Sequence, residues 1–406
     1  MIRVLLIPSS DYLGHPFPQR HNHLFERLHD GKEFEVHVVR FNIFNKPKLA
    51  SKCIIHEIPF EVSTRSTGLY YLMNTMSHVS EILRIIKRES IDIVFAGNLL
   101  PPLMYVLVRS LAELKVPFVF DVQDYYPTSA TGYLADVRSV VGVALKGFFE
   151  VVTKYLICKA DAVTVPGIAL ATYARRVGAQ RVSIIPNGLS EYFLERCDGR
   201  DVRKRLSYND SDVVVGYIGS IEFWLDMESL IKAVSIARTR GLPVKLLLIG
   251  KQLQTGYPLK VRKWLKIYRV ENATTWLDFI PHNEVPRYVA AMDVATIPFD
   301  VSNPTAYYAA PNKLWEYLSQ GTVVATTPIP EALVYRKIGR IYIVKTSEDY
   351  VRAFEEADRN RKKNIDPCLR QILKARLWSQ SVEKLKALLK SLVLTYTENL
   401  PVRVTL

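Results

Sequence analysis

The stretch VVVGYIGSIEFWLDMESLIKAV, Val213–Val234, decides the fold. Its first part, Val213–Ile218, is a near-continuous apolar run, which is typical of a strand covered on both faces of a parallel sheet. Gly219 and Ser220 then supply a turn, and the apolar spacing from Met227 to Arg240 predicts a helix. A strand, a tight turn and a helix in this order form one repeat of an α/β domain.

The same alternation runs along most of the 406 residues. Strands are predicted at Ile2–Ile7, Glu35–Arg40, Ile91–Ala96, Pro117–Asp121, Ala162–Val165, Val213–Ile218, Val244–Ile249, Thr274–Leu277, Val294–Ile297, Thr322–Ala325 and Ile341–Val344. Helices are predicted around Arg20–Leu28, Tyr70–Arg88, Pro102–Leu114, Ser139–Cys158, Met227–Arg240, Leu259–Tyr268, Asn283–Ala291, Asn312–Ser319 and Glu348–Asp358. Because a single core stops growing at roughly 250 to 300 residues, we expect two doubly wound parallel-sheet domains.

The boundary between the domains is marked by a change in the sequence. A strand ends in a Pro-Asn-Gly turn at Ser183–Gly188, and the polar segment Asp198–Asp212 follows it. We predict Rossmann-like domains over residues 1–188 and 189–368. The leucine spacing after Leu369 predicts a helical tail, residues 369–406, that packs back on the domains.

Composition and charge exclude several classes of protein. Hydrophobic residues at 49% and charged residues at 23% describe a folded chain, and no apolar run approaches the roughly 18 to 20 residues that span a bilayer. MIRVLLIPSSD at the N-terminus resembles a buried strand more than a signal peptide. The four widely spaced cysteines favour neither a zinc site nor a disulfide scaffold, so a cytoplasmic setting is expected.

The net charge of +14 is compatible with nucleic acid, anionic lipid or phosphorylated small molecules. No nucleic-acid-binding motif is present, so nucleic acid is not an expected partner. Segment Tyr133–Tyr155 combines many apolar residues with Arg138, Lys146 and Lys154. It is a core helix by default; the alternative is an amphipathic surface that makes the protein peripheral at an anionic membrane.

Candidate ligand-binding residues follow predicted strands of the second half. Gly219 and Ser220 follow one strand and Lys251 another, where open α/β sheets bind ligands, although an ordinary βα turn and a solvated lysine are equally compatible. In AAPNKLWEYLSQG, Ala309–Gly321, Pro311 and Asn312 begin a helix whose start attracts anions together with Lys313. Glu316 lies one turn on and can accept hydrogen bonds from a ribose diol; the alternative is a solvated amphipathic helix.

Four ordered segments resemble the family-4-like glycosyltransferases of the GT-B fold. They are PNKLWEYLSQGTVVATTPIPE, VTVPGIALATYARRVGAQRVSIIPNGLSEYF, VVVGYIGSIEFWLDMESLIKAV and TTWLDFIPHNEVPRYVAAMDVATIPF. The resemblance implies a GT-B fold, two Rossmann-like domains with a cleft between them, that transfers a hexose-type sugar from a nucleotide diphosphate sugar, UDP- or GDP-linked, without a metal or other cofactor. It favours retention of anomeric configuration and leaves inversion open.

The resemblance also implies roles for individual residues. Glu316 would hold the ribose, Lys313 with Pro311 and Asn312 the pyrophosphate, and Gly219 and Ser220 the adjoining phosphates. Phe279 and Ile280 would lie beside the base, and Gly14 of the first domain would close over the phosphates. Two positions depart from the family pattern: Tyr308 replaces a glutamate, and GSIEFWLDM lacks the usual Arg and Lys-Gly.

The segment FDVQDYYP, Phe120–Pro127, resembles a motif of transferases that act on lipid-linked or polymer acceptors. A carboxylate after the strand could deprotonate the acceptor hydroxyl, and we favour Asp124 over Asp121. His15 is a second candidate base, because the spacing of His15, His21 and His23 fits no standard zinc site.

The expected function is therefore transfer to a glycan or glycolipid acceptor, in cell-surface polysaccharide synthesis or protein glycosylation. Two alternatives remain at this point: a nucleotide-sugar 2-epimerase of the same fold, and a catalytically silent subunit that binds lipid or polyanions.

Overall fold

The chain folds into two compact units. The computed structural model describes residues 1–15, 18–41, 43, 47–59, 62, 67–111, 114–134, 139–250, 256–338, 340–360, 365 and 367–398. Unit 1 comprises Met1–Asn187 together with Trp378–Leu406, and unit 2 comprises Gly188–Leu377. None of the helices described is both long enough and apolar enough to span a bilayer.

Unit 1 is built on a seven-stranded parallel sheet. Its strands are β1 (Ile2–Ile7), β2 (Phe34–Arg40), β3 (Ile54–Glu57), β4 (Ile93–Ala96), β5 (Phe118–Asp121), β6 (Ala162–Val165) and β7 (Val182–Ile184), in the order β3-β2-β1-β4-β5-β6-β7. Its helices are α1 (Arg20–Leu28), α2 (Thr67–Met73), α3 (Thr75–Arg88), α4 (Leu100–Leu111), α5 (Tyr126–Leu134), α6 (Val140–Lys159) and α7 (Ile168–Val177). The strand order reverses at β1, which places ligand-binding positions at the carboxyl ends of β1 and β4.

Unit 2 repeats this architecture with six parallel strands. They are β8 (Val213–Ile218), β9 (Val244–Ile249), β10 (Thr274–Leu277), β11 (Val294–Ile297), β12 (Val323–Thr326) and β13 (Ile341–Ile343), in the order β10-β9-β8-β11-β12-β13. The helices are α8 (Arg200–Arg205), α9 (Met227–Thr239), α10 (Tyr257–Ile267), α11 (Val285–Ala291), α12 (Pro304–Tyr307), α13 (Lys313–Ser319), α14 (Pro330–Tyr335), α15 (Ser347–Arg359) and α16 (Pro367–Ala375). The order reverses at β8.

The apolar strands are buried, as their composition predicts. All residues of β4, β5, β6, β11 and β12 are buried, and two parallel-sheet domains of the predicted class are confirmed. The edge strand β3, which the sequence analysis missed, has the short and half-polar sequence IIHE with both ends exposed. An edge strand is not covered on both faces, so it lacks the continuous apolar run that reveals the central strands.

The C-terminal segment is shared between the two units. Helix α16 belongs to unit 2, whereas the last helix, α17 (Trp378–Glu398), belongs to unit 1. Leu385 and Leu389 of α17 are fully buried in the core of unit 1. The expected tail of residues 369–406 is thus divided after Leu377, and its second part completes the core of unit 1.

The packing of α17 leads to a stability prediction. Leu389→Ala should lower the free energy of unfolding by about 2 to 5 kcal/mol, because it leaves a cavity in the core. Leu394→Ala on the same helix is the matched control: Leu394 is 61% exposed, and the change should stay within about 0.5 kcal/mol. Thermal and denaturant unfolding measure the change in the free energy of unfolding for both variants. Equal changes would contradict the role of α17 in the core.

Candidate active site

Three strands of unit 2 end level with one another. Ile218 of β8 pairs with Ile249 of β9, which pairs with Leu277 of β10. Gly219 and Gly250 directly follow the first two strands. Because β8 lies where the strand order reverses, this edge is where an open α/β sheet binds a ligand.

The two glycines are required by a close backbone contact. A β-carbon on Gly250 would lie 1.9 Å from the carbonyl oxygen of Gly219, and both residues have a φ of +144°. A β-carbon on Gly219 would lie 2.7 Å from Nζ of Lys313. Any side chain here would be strained and would clash, so the edge keeps bare backbone beside a cation. Lys251 falls in the stretch 251–255, outside the described residues, and its role stays a prediction.

The half-buried Lys313 ammonium is surrounded by aromatic rings. Its Nζ donates a hydrogen bond to the Tyr217 hydroxyl at 3.2 Å and lies 4.7 Å from the Tyr217 ring centroid and 5.4 Å from that of Phe299. Within the described part of the chain, no carboxylate lies within ion-pair distance of this nitrogen. Ring faces attract a cation without neutralising it, so the ammonium can bind an incoming anion.

Burial lowers the pKa of Lys313 to about 8, and the Glu316 carboxylate opposes this shift only in part. The Lys313 amine is therefore mostly charged at neutral pH and loses its proton as the pH rises through about 8. A bound diphosphate would favour the charged form and raise this pKa again.

Tyr217 connects the turn to the lysine. Its hydroxyl accepts from Lys313 and donates to the backbone carbonyl of Ser220 at 2.8 Å. Tyr217 is not predictable as a site residue from the sequence, because a tyrosine inside the buried strand β8 has the pattern of a core residue. Its one signal was a hydroxyl-bearing side chain in an otherwise apolar run, since a buried hydroxyl needs a partner.

Glu316 is held by a histidine that the sequence analysis also missed. His282 Nε2 lies 3.1 Å from Glu316 Oε1, and its Nδ1 is hydrogen-bonded to the Tyr192 hydroxyl. Partial burial of the ring alone would lower the pKa of His282, but the hydrogen bond and the charge of Glu316 outweigh it and raise that pKa. His282 therefore orients the carboxylate and leaves its second oxygen available to a ligand.

The other predicted donor residues lie at the same edge or close to it. Phe279 and Ile280 follow β10; the Phe279 side chain is exposed, and Ile280 packs on the core. Pro311 and Asn312 lead into α13, and Asn312 already has helical backbone angles. Tyr308, at the position where the family pattern has a glutamate, ends α12.

In unit 1, Asp121 is the centre of a buried polar network. Arg20 donates to it from Nε at 3.0 Å and from Nη2 at 3.2 Å, and Thr164 donates at 2.6 Å. His21 Nε2 and Gln123 Nε2 each lie 3.0 Å from Oδ2. Both carboxylate oxygens of Asp121 thus accept hydrogen bonds from other side chains of the protein.

These contacts exclude Asp121 as an accessible base in this conformation. Burial alone would raise the pKa of its carboxyl, but Arg20 and His21 hold it well below the usual range. Arg20 also donates to the side chain of Asn187, the asparagine of the Pro-Asn-Gly turn, at 2.9 Å. Asp121 therefore positions Arg20 and His21, in place of the catalytic role considered for it.

Asp124, three residues after β5 ends, is the exposed carboxylate of this segment. Its carboxylate oxygens make no hydrogen bond or ion pair among the described residues, whereas its backbone oxygen accepts from the Tyr126 amide at 2.9 Å. An exposed carboxylate whose oxygens have no protein partner can accept a proton from a ligand.

The remaining predicted residues of unit 1 lie in the loop after β1 and at the start of α1. The Gly14 amide donates to Asp11 Oδ1 at 2.9 Å, which shapes this loop. His15 Nδ1 lies 3.0 Å from Gln19 Nε2, whereas His23 stacks on Trp378. The histidines thus have separate partners, and the described residues contain no group of three side chains that could hold a metal ion.

Two family models match this chain. "Glycosyl transferases group 1" matches residues 212–359, and "Glycosyltransferase Family 4" matches residues 20–191. The chain belongs to the family-4-like, group 1 glycosyltransferases of the GT-B fold. It is an enzyme of the transferase class.

Solved structures of the same fold cover nearly the whole glycosyltransferase. Sucrose-phosphate synthase from Thermosynechococcus elongatus superposes with a TM-score of 0.77 at 16% identity, covering 97% of this chain and 100% of that one. HepE from Anabaena, solved in complex with UDP-glucose, has a TM-score of 0.68 at 16% identity, with 96% and 100% covered. The lipopolysaccharide outer core galactosyltransferase WaaB has a TM-score of 0.61 at 13% identity, with 96% and 99% covered. No curated protein sequence gives a significant match.

The environment of Lys313 predicts a selective loss of diphosphate binding. Lys313→Ala should weaken UDP or GDP binding by about ten- to hundred-fold, since a charged hydrogen bond contributes about 1.5 to 3 kcal/mol. Binding of uridine or guanosine should change little. Calorimetry with both ligand types tests this, and an equal loss for nucleoside and diphosphate would mean that Lys313 supports the helix.

The same lysine predicts a pH dependence. Because Lys313 loses its proton as the pH rises through about 8, diphosphate affinity should fall between pH 7 and pH 9. Lys313→Arg keeps the charge over this range and should remove most of that fall. An identical pH profile for the wild type and the arginine variant would contradict the assignment.

The Glu316–His282 contact predicts a graded effect on nucleoside binding. Glu316→Ala should raise the dissociation constant for UDP or GDP about ten-fold or more. His282→Gln keeps a hydrogen-bond donor and should raise the same constant only about two- to five-fold. Glu284→Ala removes a neighbouring carboxylate that does not contact His282, and it serves as the control. Unchanged nucleotide affinity in Glu316→Ala would remove this residue from the site.

Proposed function

We propose that this glycosyltransferase moves a hexosyl group from a UDP- or GDP-linked sugar to a glycan or lipid-linked glycan. The observation that carries the proposal is the half-buried Lys313 ammonium, which has no carboxylate partner among the described residues and faces the glycine edge of the second sheet. A pathway of cell-surface polysaccharide synthesis or protein glycosylation, in the cytoplasm, would use such a reaction.

Unit 2 would bind the donor. The diphosphate would lie against the bare backbone at Gly219 and Gly250, with its charge balanced by Lys313. The ribose hydroxyls would donate to Glu316, which His282 already orients. The exposed ring of Phe279 would offer the base an apolar surface. The binding of UDP-glucose by HepE supports a donor of this class.

Unit 1 would supply the base for the acceptor. The acceptor hydroxyl attacks the anomeric carbon as the bond to the diphosphate breaks, its proton passes to Asp124, and the leaving diphosphate keeps the bonding electrons. The exposure of the Asp124 carboxylate, which has no protein partner among the described residues, favours this step. We propose that Lys313, without a divalent metal, stabilises the charge of the leaving group.

One assay distinguishes the proposed reaction from its rivals. Purified protein is incubated with a panel of UDP- and GDP-sugars, with and without glycan acceptors, in the presence of EDTA. Acceptor-dependent release of nucleoside diphosphate supports transfer, and its loss in EDTA would contradict the metal-independent step. Formation of the 2-epimer without transfer would show an epimerase, and binding without turnover would show a silent subunit.

Asp124 has the most specific prediction. Asp124→Asn keeps size and removes basicity, so turnover should fall by about 10² or more while donor affinity stays nearly unchanged. Asp198→Asn, which alters an exposed carboxylate of unit 2, should leave turnover within about two-fold of wild type and serves as control. If Asp124→Asn retained most of the wild-type turnover, Asp124 would not be the general base, and His15 would be the next candidate to test.

A further inference from the structure

Helix α6 is apolar on its outer side as well as on its inner side. Its inner side packs into unit 1 through Phe149, Val152, Leu156 and Ile157, all of which are buried. Its outer side begins with Val140, Val141, Val143, Phe148 and Val151, which are 88%, 63%, 61%, 50% and 68% exposed. These five residues are called the α6 face. Helices that are apolar all round are normally covered on all sides, so the α6 face calls for a covering partner.

The α6 face is continuous along the helix. At 3.6 residues per turn, the side chains of these five residues lie within a sector of about 160° on one side of the helix. Eleven residues separate its ends, so it extends over about 16 Å at 1.5 Å per residue. Gly147, within this stretch, adds no side chain that would shield its neighbours.

Cations gather at the end of the α6 face. Lys154 follows Val151 by one turn and is paired with Glu150 at 2.8 Å, and Lys159 ends the helix. The end of α7 lies next to the end of α6, because the Cys158 thiol donates to the Val177 carbonyl at 3.3 Å. That brings the last turn of α7, with the exposed residues Arg175 and Arg176, beside the end of α6.

We propose that the α6 face docks this protein on an anionic bilayer. Its valines and phenylalanine would enter the boundary between headgroups and acyl chains, while Lys154, Lys159, Arg175 and Arg176 contact anionic headgroups. The charges favour a lipid partner over a second copy of the chain, because two like basic clusters would repel across a symmetric interface. This docking does not depend on the identity of the donor sugar.

Vesicle binding tests the proposal with the full chain. Sedimentation with phosphatidylcholine vesicles containing about 30% phosphatidylglycerol should capture the wild type, and pure phosphatidylcholine vesicles should capture at least about five-fold less. Phe148→Ser/Val151→Ser should lower binding about ten-fold or more, since it removes apolar area from the α6 face. Lys154→Glu/Lys159→Glu should do the same and should remove the dependence on phosphatidylglycerol.

The control is Met73→Ser/Met76→Ser, which removes similarly exposed apolar side chains elsewhere in unit 1 and should bind vesicles like the wild type. UDP binding, circular dichroism and analytical ultracentrifugation of each variant show that it is folded and report its oligomeric state. Equal vesicle binding by the α6 double variant and the wild type would overturn the proposal. So would a wild-type dimer that the α6 double variant abolishes. If neither the wild type nor any variant bound UDP, that result would instead count against the proposed function.

Discussion

The close approach of two backbone segments at Gly219 and Gly250 is the constraint on which the candidate donor site depends. The carbonyl oxygen of Gly219 occupies the space where a β-carbon of Gly250 would lie. This contact holds the ends of β8 and β9 together and leaves no side chain above them. Lys313 and Tyr217 fill the adjoining space, so the ammonium has a fixed position beside bare backbone. The bare backbone at this edge follows from packing that forbids any residue larger than glycine.

The two units treat their charged groups in opposite ways. In unit 1, Asp121 is buried with hydrogen bonds to Arg20, His21 and Thr164, so its charge is compensated before any ligand arrives. In unit 2, Lys313 is partly dehydrated, and aromatic rings are its immediate neighbours. A compensated charge fixes structure, whereas an uncompensated one gains most from binding a ligand of opposite sign. The Asp124 carboxylate is also without a protein partner among the described residues, whereas Glu316 is intermediate, because His282 contacts one of its two carboxylate oxygens.

Helix α6 shows that one element can serve both the core and the surface. Its buried side contributes Phe149 and Leu156 to unit 1, while its other side presents valines outward. A core helix needs only one apolar side, so the second side indicates a further contact. The neighbouring cations at Lys159 and on α7 favour a negatively charged partner for that contact.

The sequence by itself determined the fold class, the two sheets and most of the central strands. A strand buried on both faces must be apolar throughout, and a βα turn must carry small residues, so Val213–Ser220 is readable without coordinates. The proximity of Glu316 and Lys313 could also be predicted, because their spacing on one short helix is a local property; their roles in binding a donor stay predictions. Strand β3 escaped notice because an edge strand has no such continuous apolar run.

Only the tertiary structure decided which charged groups have protein partners. Asp121 and Asp124 lie three residues apart and were both candidate bases, with Asp124 favoured; contacts from Arg20, about 100 residues earlier, occupy Asp121 and leave the Asp124 carboxylate open. His282 and Tyr217 join the site through partners 34 and 96 residues away. The division of the C-terminal segment between α16 and α17 depends in the same way on distant core contacts. Burial and hydrogen bonding arise from such long-range packing, and no local pattern in the chain records them.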